Sequence, residues 1–150
     1  MLLYEDLITN YSATVIAGGG SNIGRGAQYI LPPDHVLFIG CIGSDRYGER
    51  LTAECSKAGV ATAFRIDESM PTGRCGVIIT GHHRSLCTNL GAANEYRVDH
   101  LLQPAVWGLV ERAEVYYVEG YHLTACVDAA VALGEEAAKS DKVRITAMDE

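Results

Sequence analysis

The stretch HVLFIGCIGSDRYGERLTAECSKAGV, His35 to Val60, decides how the chain is read. It opens on a continuous apolar run, His35 to Gly43, of the kind that forms a strand covered on both faces. Tyr47 to Ala58 then has helical spacing, and Gly59 supplies the stop. Ala61 to Ile66 follows at once, alternating apolar and polar residues as a half-exposed strand does. Strand, helix and strand in so short a span argue for parallel pairing.

The same alternation continues on both sides. Upstream, Ser12 to Ala17 reads as a strand entering a glycine turn, and Asn22 to Ile30 as a helix stopped by Pro32 and Pro33. Downstream, Cys75 to Thr80 reads as a strand and Asp99 to Ala113 as a helix with Pro104 near its start. VYYVEG, Val115 to Gly120, reads as a buried strand, Val127 to Ser140 as an alanine-rich helix, and Lys142 to Met148 as a strand. The expectation is an α/β fold with a mainly parallel sheet flanked by helices.

Composition narrows the partners. The 150 residues are 48% hydrophobic and 21% charged, ordinary for a globular chain. A net charge of −7 argues against nucleic acid or an anionic membrane surface, but not against a small anion held by local arginines. No apolar run approaches the roughly 20 residues of a membrane span, and MLLYEDLITN lacks the basic start of a signal peptide. The five cysteines are widely spaced, odd in number and form no C-x-x-C pair, which suits a reduced, cytoplasmic setting, the nucleus included. The histidines have no metal-ligand spacing.

The glycine turn AGGGSNIGRGAQ, Ala17 to Gln28, admits several readings. Gly20, Gly24 and Gly26 fit the G-x-x-x-G-x-G turn of short-chain dehydrogenases, where an NAD(P) pyrophosphate faces a helix N-terminus. Against that, the helix ends early at Pro32, and none of the eight tyrosines has a lysine four residues later, so the Tyr-x-x-x-Lys pair is absent. On the turn alone, a plain tight turn, a dehydrogenase turn and another ligand loop stand level.

Four further stretches, read together, break the tie. GCIGSDRYGERL at Gly40 to Leu51, PTGRCGVIITG at Pro71 to Gly81, HRSLCTNLGAANEY at His83 to Tyr96 and VYYVEGYHLT at Val115 to Thr124 resemble, in this order, the adenosine kinases. These are a branch of the ribokinase-like sugar and nucleoside kinases. The resemblance runs from about Glu5 to about Val143. It implies a ribokinase-like α/β domain, here truncated at both ends. A small β lid is expected from strands within 12–17 and 61–80. The implied activity is ATP-dependent phosphorylation of adenosine to AMP.

Roles come with that resemblance. It implies that Gly18 and Gly19 let the backbone pack on the ribose, where a side chain would collide. Asn22 would hydrogen-bond a ribose hydroxyl, or else cap its helix. Arg84 would stabilise the phosphates in transfer, since a guanidinium grips phosphate oxygens in bidentate fashion. Leu86 and Leu90 would line the purine pocket, and Tyr121 would stack on the base. Asp45, in Gly-x-x-Gly-x-Asp, is expected to cap the following helix. ATP and Mg²⁺ are the cofactors implied for the full-length enzyme, neither expected to bind tightly to this piece. The general base of such kinases, an Asp in a Gly-Ala-Gly-Asp motif, has no counterpart in the 150 residues. The sequence therefore reads as a middle piece, inactive by itself, with a non-catalytic nucleoside-binding role as the alternative.

Overall fold

The computed structural model describes residues 2–11 and 13–147, which divide after Ala92 into two compact units. The first holds α1 (Leu2–Asn10), α2 (Gly20–Ile30), β1 (Leu37–Gly43), α3 (Arg46–Lys57), β2 (Ala61–Asp67), β3 (Arg74–Thr80) and β4 (His83–Asn89). β1 and β2 pair in parallel, with Leu37 opposite Ala61 and Gly43 opposite Asp67. Cys41, Ile42, Cys55 and Val60 form the buried seam of this α/β unit. The entry into β1 is set by the buried Gln28. Its Nε2 donates to the Pro32 carbonyl at 2.7 Å, and its Oε1 accepts from His35 N at 3.2 Å and Val36 N at 3.1 Å. The prolines end α2, and Gln28 ties the turn that follows.

Asp45 caps α3 as expected, accepting from Tyr47 N at 3.0 Å and Gly48 N at 2.9 Å. It also reaches across the chain. Thr72 gives it a backbone N–H at 2.9 Å and a hydroxyl at 2.7 Å, while the same hydroxyl accepts from Gly43 N at 2.9 Å. Side chains at Gly43 or Gly48 would block this approach. A Cβ on Gly43 would lie 2.6 Å from Thr72 N, and one on Gly48 would lie 2.5 Å from the Gly43 carbonyl. Burial alone pushes the Asp45 carboxyl up. The donors from Gly48, Thr72 and Tyr47 outweigh it, so its pKa lies below the ordinary value. Asp67, at the end of β2, is held lower still by the Ser69 hydroxyl, then by Arg65 at 2.8 Å and the turn amides of Ser69 and Met70.

Several expectations are revised. Of the strand expected over Ser12 to Ala17, residues 13–17 form none. Residues 13–18 pair with no strand among the described residues, and Ser12 lies outside them. β-branched residues favour a strand only where a neighbouring strand accepts the ladder, and Ile16 stands 77% exposed. Ala61 to Ile66 belongs to the parallel ladder with β1. The partner of β3 is β4, an antiparallel hairpin running from Arg74 opposite Asn89 to Thr80 opposite His83. β1 is only half-buried over Leu37 to Gly40, so it is not covered on both faces along its length.

The second unit holds a 3₁₀ turn ending at Glu95, then α4 (Val98–Leu101), α5 (Pro104–Arg112), β5 (Val115–Glu119), α6 (Gly120–Ala125), α7 (Val127–Lys139) and β6 (Val143–Ala147). β5 and β6 pair in parallel. The single helix expected over Asp99 to Ala113 is two helices. Pro104 has no N–H and forces Gln103 into extended backbone (ψ 134°), so it starts α5 rather than continuing α4. β5 is buried on one face only. Tyr116 and Val118 point inward, while Val115 and Tyr117 are exposed. The last residue of the expected strand, Met148, lies outside the described residues.

The two aspartates give the first unit a defined acid response. Both folded pKa values lie below those of the unfolded chain. Their stabilisation is therefore complete above the ordinary aspartate value of about 3.9 and is lost as pH falls from there toward the folded values. Asp45→Ala should lower the unfolding free energy at neutral pH by about 2–4 kcal/mol, a lost cap plus amides left without an acceptor. It should also flatten the acid limb of stability against pH. Urea unfolding across pH checks both. A loss below about 0.5 kcal/mol, the scale of an ordinary surface change, contradicts the expectation.

Candidate functional site

Gly18 and Gly19 form the exposed turn that leads into α2, and α2 begins at Gly20. Gly19 has φ +60°, a conformation that glycine adopts without cost. The turn is tied down by Ser21, 1% exposed, whose hydroxyl donates to the Gly18 carbonyl at 2.8 Å. Asn22 is not the N-cap, which falls on Gly19. It sits in the first turn of the helix, with its amide nitrogen 3.9 Å from where a Cβ on Gly18 would lie. The structure thus brings Asn22 to Gly18 and leaves the Asn22 side chain exposed.

Arg84 and Leu86 lie on β4, two residues apart and so on one face of the hairpin. Ile79 and Val77 stand opposite them. This face is open: Leu86 is 56% exposed and Ile79 is 74% exposed. Leu90 is half-buried just beyond β4, where a Cβ on Gly73 would lie 2.7 Å from its carbonyl. Tyr121 belongs to the second unit, 58% exposed in the first turn of α6. Beside it, burial lowers the pKa of His122, whose ring packs on Tyr96 at 5.1 Å between centroids.

Other features were not legible in the residue pattern. Thr72, which completes the Asp45 network, carries no motif signal of its own. Arg74 is also placed by the fold. Only 12% of its side chain is exposed, between the rings of Tyr4 and Tyr47 at 4.9 and 5.0 Å. Among the described residues, no group of three or more His, Cys, Asp or Glu side chains is placed to hold a metal ion. Nor is any helix there long and apolar enough to cross a membrane.

The dinucleotide reading of the glycine turn loses its context. That motif needs a strand before the turn, and residues 13–18 form none. Gly24 lies inside α2, facing Val36 and Val60, where a Cβ would find 3.7 and 3.8 Å. It serves helix packing.

The parallel β1–β2 pair, the flanking helices and the β3–β4 hairpin define an α/β fold. The chain belongs to the pfkB family of carbohydrate kinases, whose model matches residues 4–149. It is 42% identical over 144 residues to an adenosine kinase of Schizosaccharomyces pombe, covering 95% of this chain and 42% of that protein. It is 41% identical over 143 residues to adenosine kinase 2 of Arabidopsis thaliana. The chain thus spans about two-fifths of the length of the curated relatives it matches. Among solved structures, the adenosine kinase of Anopheles gambiae, in complex with P1,P4-di(adenosine-5) tetraphosphate, superposes with a TM-score of 0.92 at 35% identity. The match covers 97% of this chain and 43% of that one. The adenosine kinase of Schistosoma mansoni in complex with adenosine gives 0.90 at 31% identity, covering 97% and 43%. The fold is ribokinase-like.

The turn geometry separates two glycines that look alike in sequence. A Cβ at Gly18 meets only the tip of Asn22, whereas one at Gly19 is strained by its positive φ. Gly18→Ala should leave the urea midpoint unchanged, while Gly19→Ala should cost about 1 kcal/mol, the penalty for a left-handed L-residue. Equal effects at the two positions would contradict this.

Proposed function

We propose that this chain forms the acceptor side of an adenosine kinase. The reaction is ATP-dependent transfer of a phosphoryl group to the 5′-hydroxyl of adenosine, giving AMP, as in cytoplasmic purine salvage. The observation that carries this reading is identity of 41–42% to adenosine kinases of two yeasts across 95% of the chain. Relatives solved with adenosine, 2-fluoroadenosine and tubercidin support a nucleoside as the ligand.

The chain's own residues divide the work. The Gly18–Gly19 turn offers bare backbone to the ribose, and the Asn22 amide, next to Gly18, donates to and accepts from its hydroxyls. Leu86 and Leu90 supply apolar surface for the purine, and Tyr121 a ring to stack on it. Arg84, on the same open face as Leu86, meets phosphate oxygens as charge spreads over them. Mg²⁺ in such a reaction would supply positive charge against the ATP phosphates. The described residues offer it no ligand set, and no role assigned to them passes through it. The 150 residues contain no Gly-Ala-Gly-Asp motif, so the general base is not among them. By themselves they bind nucleoside without turnover.

Two measurements test this reading. A coupled phosphotransfer assay on residues 1–150 should give no AMP above a protein-free blank, since an absent base and anion site each remove orders of magnitude in rate. Turnover by these residues would overturn the division of labour. The chain is then completed with the flanking portions of a relative. In that protein Arg84→Ala should lower kcat/KM by about 10²-fold, the scale of one lost transition-state contact, with adenosine binding in the absence of ATP little changed. Collapsed binding with intact turnover at saturation would put Arg84 in the nucleoside pocket instead.

Asn22 distinguishes ribose from dinucleotide binding. Asn22→Ala in the completed protein should weaken adenosine binding by about 1–3 kcal/mol in calorimetric titration, the cost of an unpaired hydroxyl. Neither form should bind NADP. NADP binding that survives Asn22→Ala would return the glycine turn to the dehydrogenases.

A further inference from the structure

The β3–β4 hairpin carries Arg84 and Leu86 on an open face, so something must fix its angle. Near its base, its other face is seated on α1. Gly76 makes the seat, because a Cβ there would lie 3.1 Å from Leu7 Cδ1 and 3.6 Å from the Tyr4 ring. The Tyr4 hydroxyl donates to the Cys87 carbonyl on β4 at 3.1 Å. At the base of the hairpin, the Arg74 guanidinium lies over the Tyr4 ring of α1 at 4.9 Å and the Tyr47 ring of α3 at 5.0 Å. Glu5 closes the group. Its carboxylate lies 3.5 Å from Arg74 and accepts from the Tyr47 hydroxyl at 3.0 Å and from Arg46 at 2.8 Å. One cation therefore joins α1, α3 and β3 at the point where the hairpin leaves the rest of the unit.

We infer that Arg74, clasped between Tyr4 and Tyr47, is a positioning residue that sets the attitude of the hairpin and, through it, the place of Arg84 and Leu86. The physical basis is one guanidinium placed over two rings, 4.9 and 5.0 Å from their centroids. A guanidinium covers two aromatic faces while its edge still reaches a carboxylate, which a Lys ammonium does not do. The consequence for nucleoside binding rests on the function proposed above; the clasp itself does not.

Amide hydrogen exchange on the 150-residue chain tests the clasp with no nucleoside present. Arg74→Ala should speed exchange over residues 83–89 at least tenfold and leave the β1–β2 amides unchanged. Arg74→Lys should fall between the wild type and Arg74→Ala. Tyr47→Leu should speed the same amides, and the double variant should exchange no faster than the quicker single one, because both act through one stack. Unchanged hairpin exchange in Arg74→Ala overturns the proposal. So does equal acceleration of β1–β2, which marks a general stability role, and so does a double variant whose effect is the product of the singles. Adenosine titration then supplies the functional arm. Affinity should fall at least fivefold in Arg74→Ala, and an unaltered affinity with a loosened hairpin overturns positioning. If the unmodified chain does not bind adenosine, the nucleoside reading fails, while the exchange result still decides the clasp.

Discussion

A single carboxylate, that of Asp45, holds the first unit in register with itself. Four donors converge on it, from the first turn of α3 and from Thr72 far along the chain. Gly43 and Gly48 exist in this arrangement to let backbone meet backbone. The Asp45–Thr72 contact fixes where residues 71–73 run. The chain leaves Gly73 directly into β3, so this knot sets where the hairpin starts, and the Arg74 clasp acts on it from there. A charged group satisfied by four short hydrogen bonds suits the task, because losing any segment strands donors that water no longer reaches.

The parts of the fold that sequence discloses are those governed by local rules. The apolar run into β1, the capping Asp45, Gly59 after α3 and the prolines after α2 each act within a few residues, and each element stands where those signals place it. The parts that sequence conceals are decided by partners. Ser12 to Ala17 has strand composition but no ladder. The β4 strand, HRSLCTN, has little strand character and forms because β3 lies beside it. Pro104 was visible in sequence, but whether it begins a helix or sits within one depended on the backbone of Gln103. The candidate site divides in the same way. Gly18, Gly19 and Asn22 are legible as a turn, and the structure does bring Asn22 to Gly18. The sharing of one face by Arg84 and Leu86 follows only once β4 is known to be a strand. The Arg74 stack needs Tyr4 and Tyr47 from two helices, a juxtaposition that no spacing encodes.

In a ribokinase-like kinase, an acceptor and a phosphoryl donor must meet with water kept away. In the function proposed for this chain, its contribution is mostly surface and dipole: bare turn backbone, one amide, apolar side chains and one guanidinium. On that proposal such groups would hold and orient a sugar and base and neutralise charge as it develops. The relatives it matches are more than twice as long as this chain.

The hairpin has a pinned base and a free tip. Gly73 lies against Leu90, the Ala92 amide donates to the Pro71 carbonyl at 2.8 Å, and the clasp grips Arg74. At the other end, Gly81 turns with φ +61° and has open space where a Cβ would project. Register in an antiparallel pair alternates faces residue by residue. One residue inserted into 74–80 would therefore exchange Val77 and Ile79 for the face that sits on α1. The same residue inserted at Gly81–His82 would leave both faces as they are. The tip is thus a natural port for a spectroscopic label or a short epitope, one that would report the swing of the hairpin while leaving the surface it carries intact.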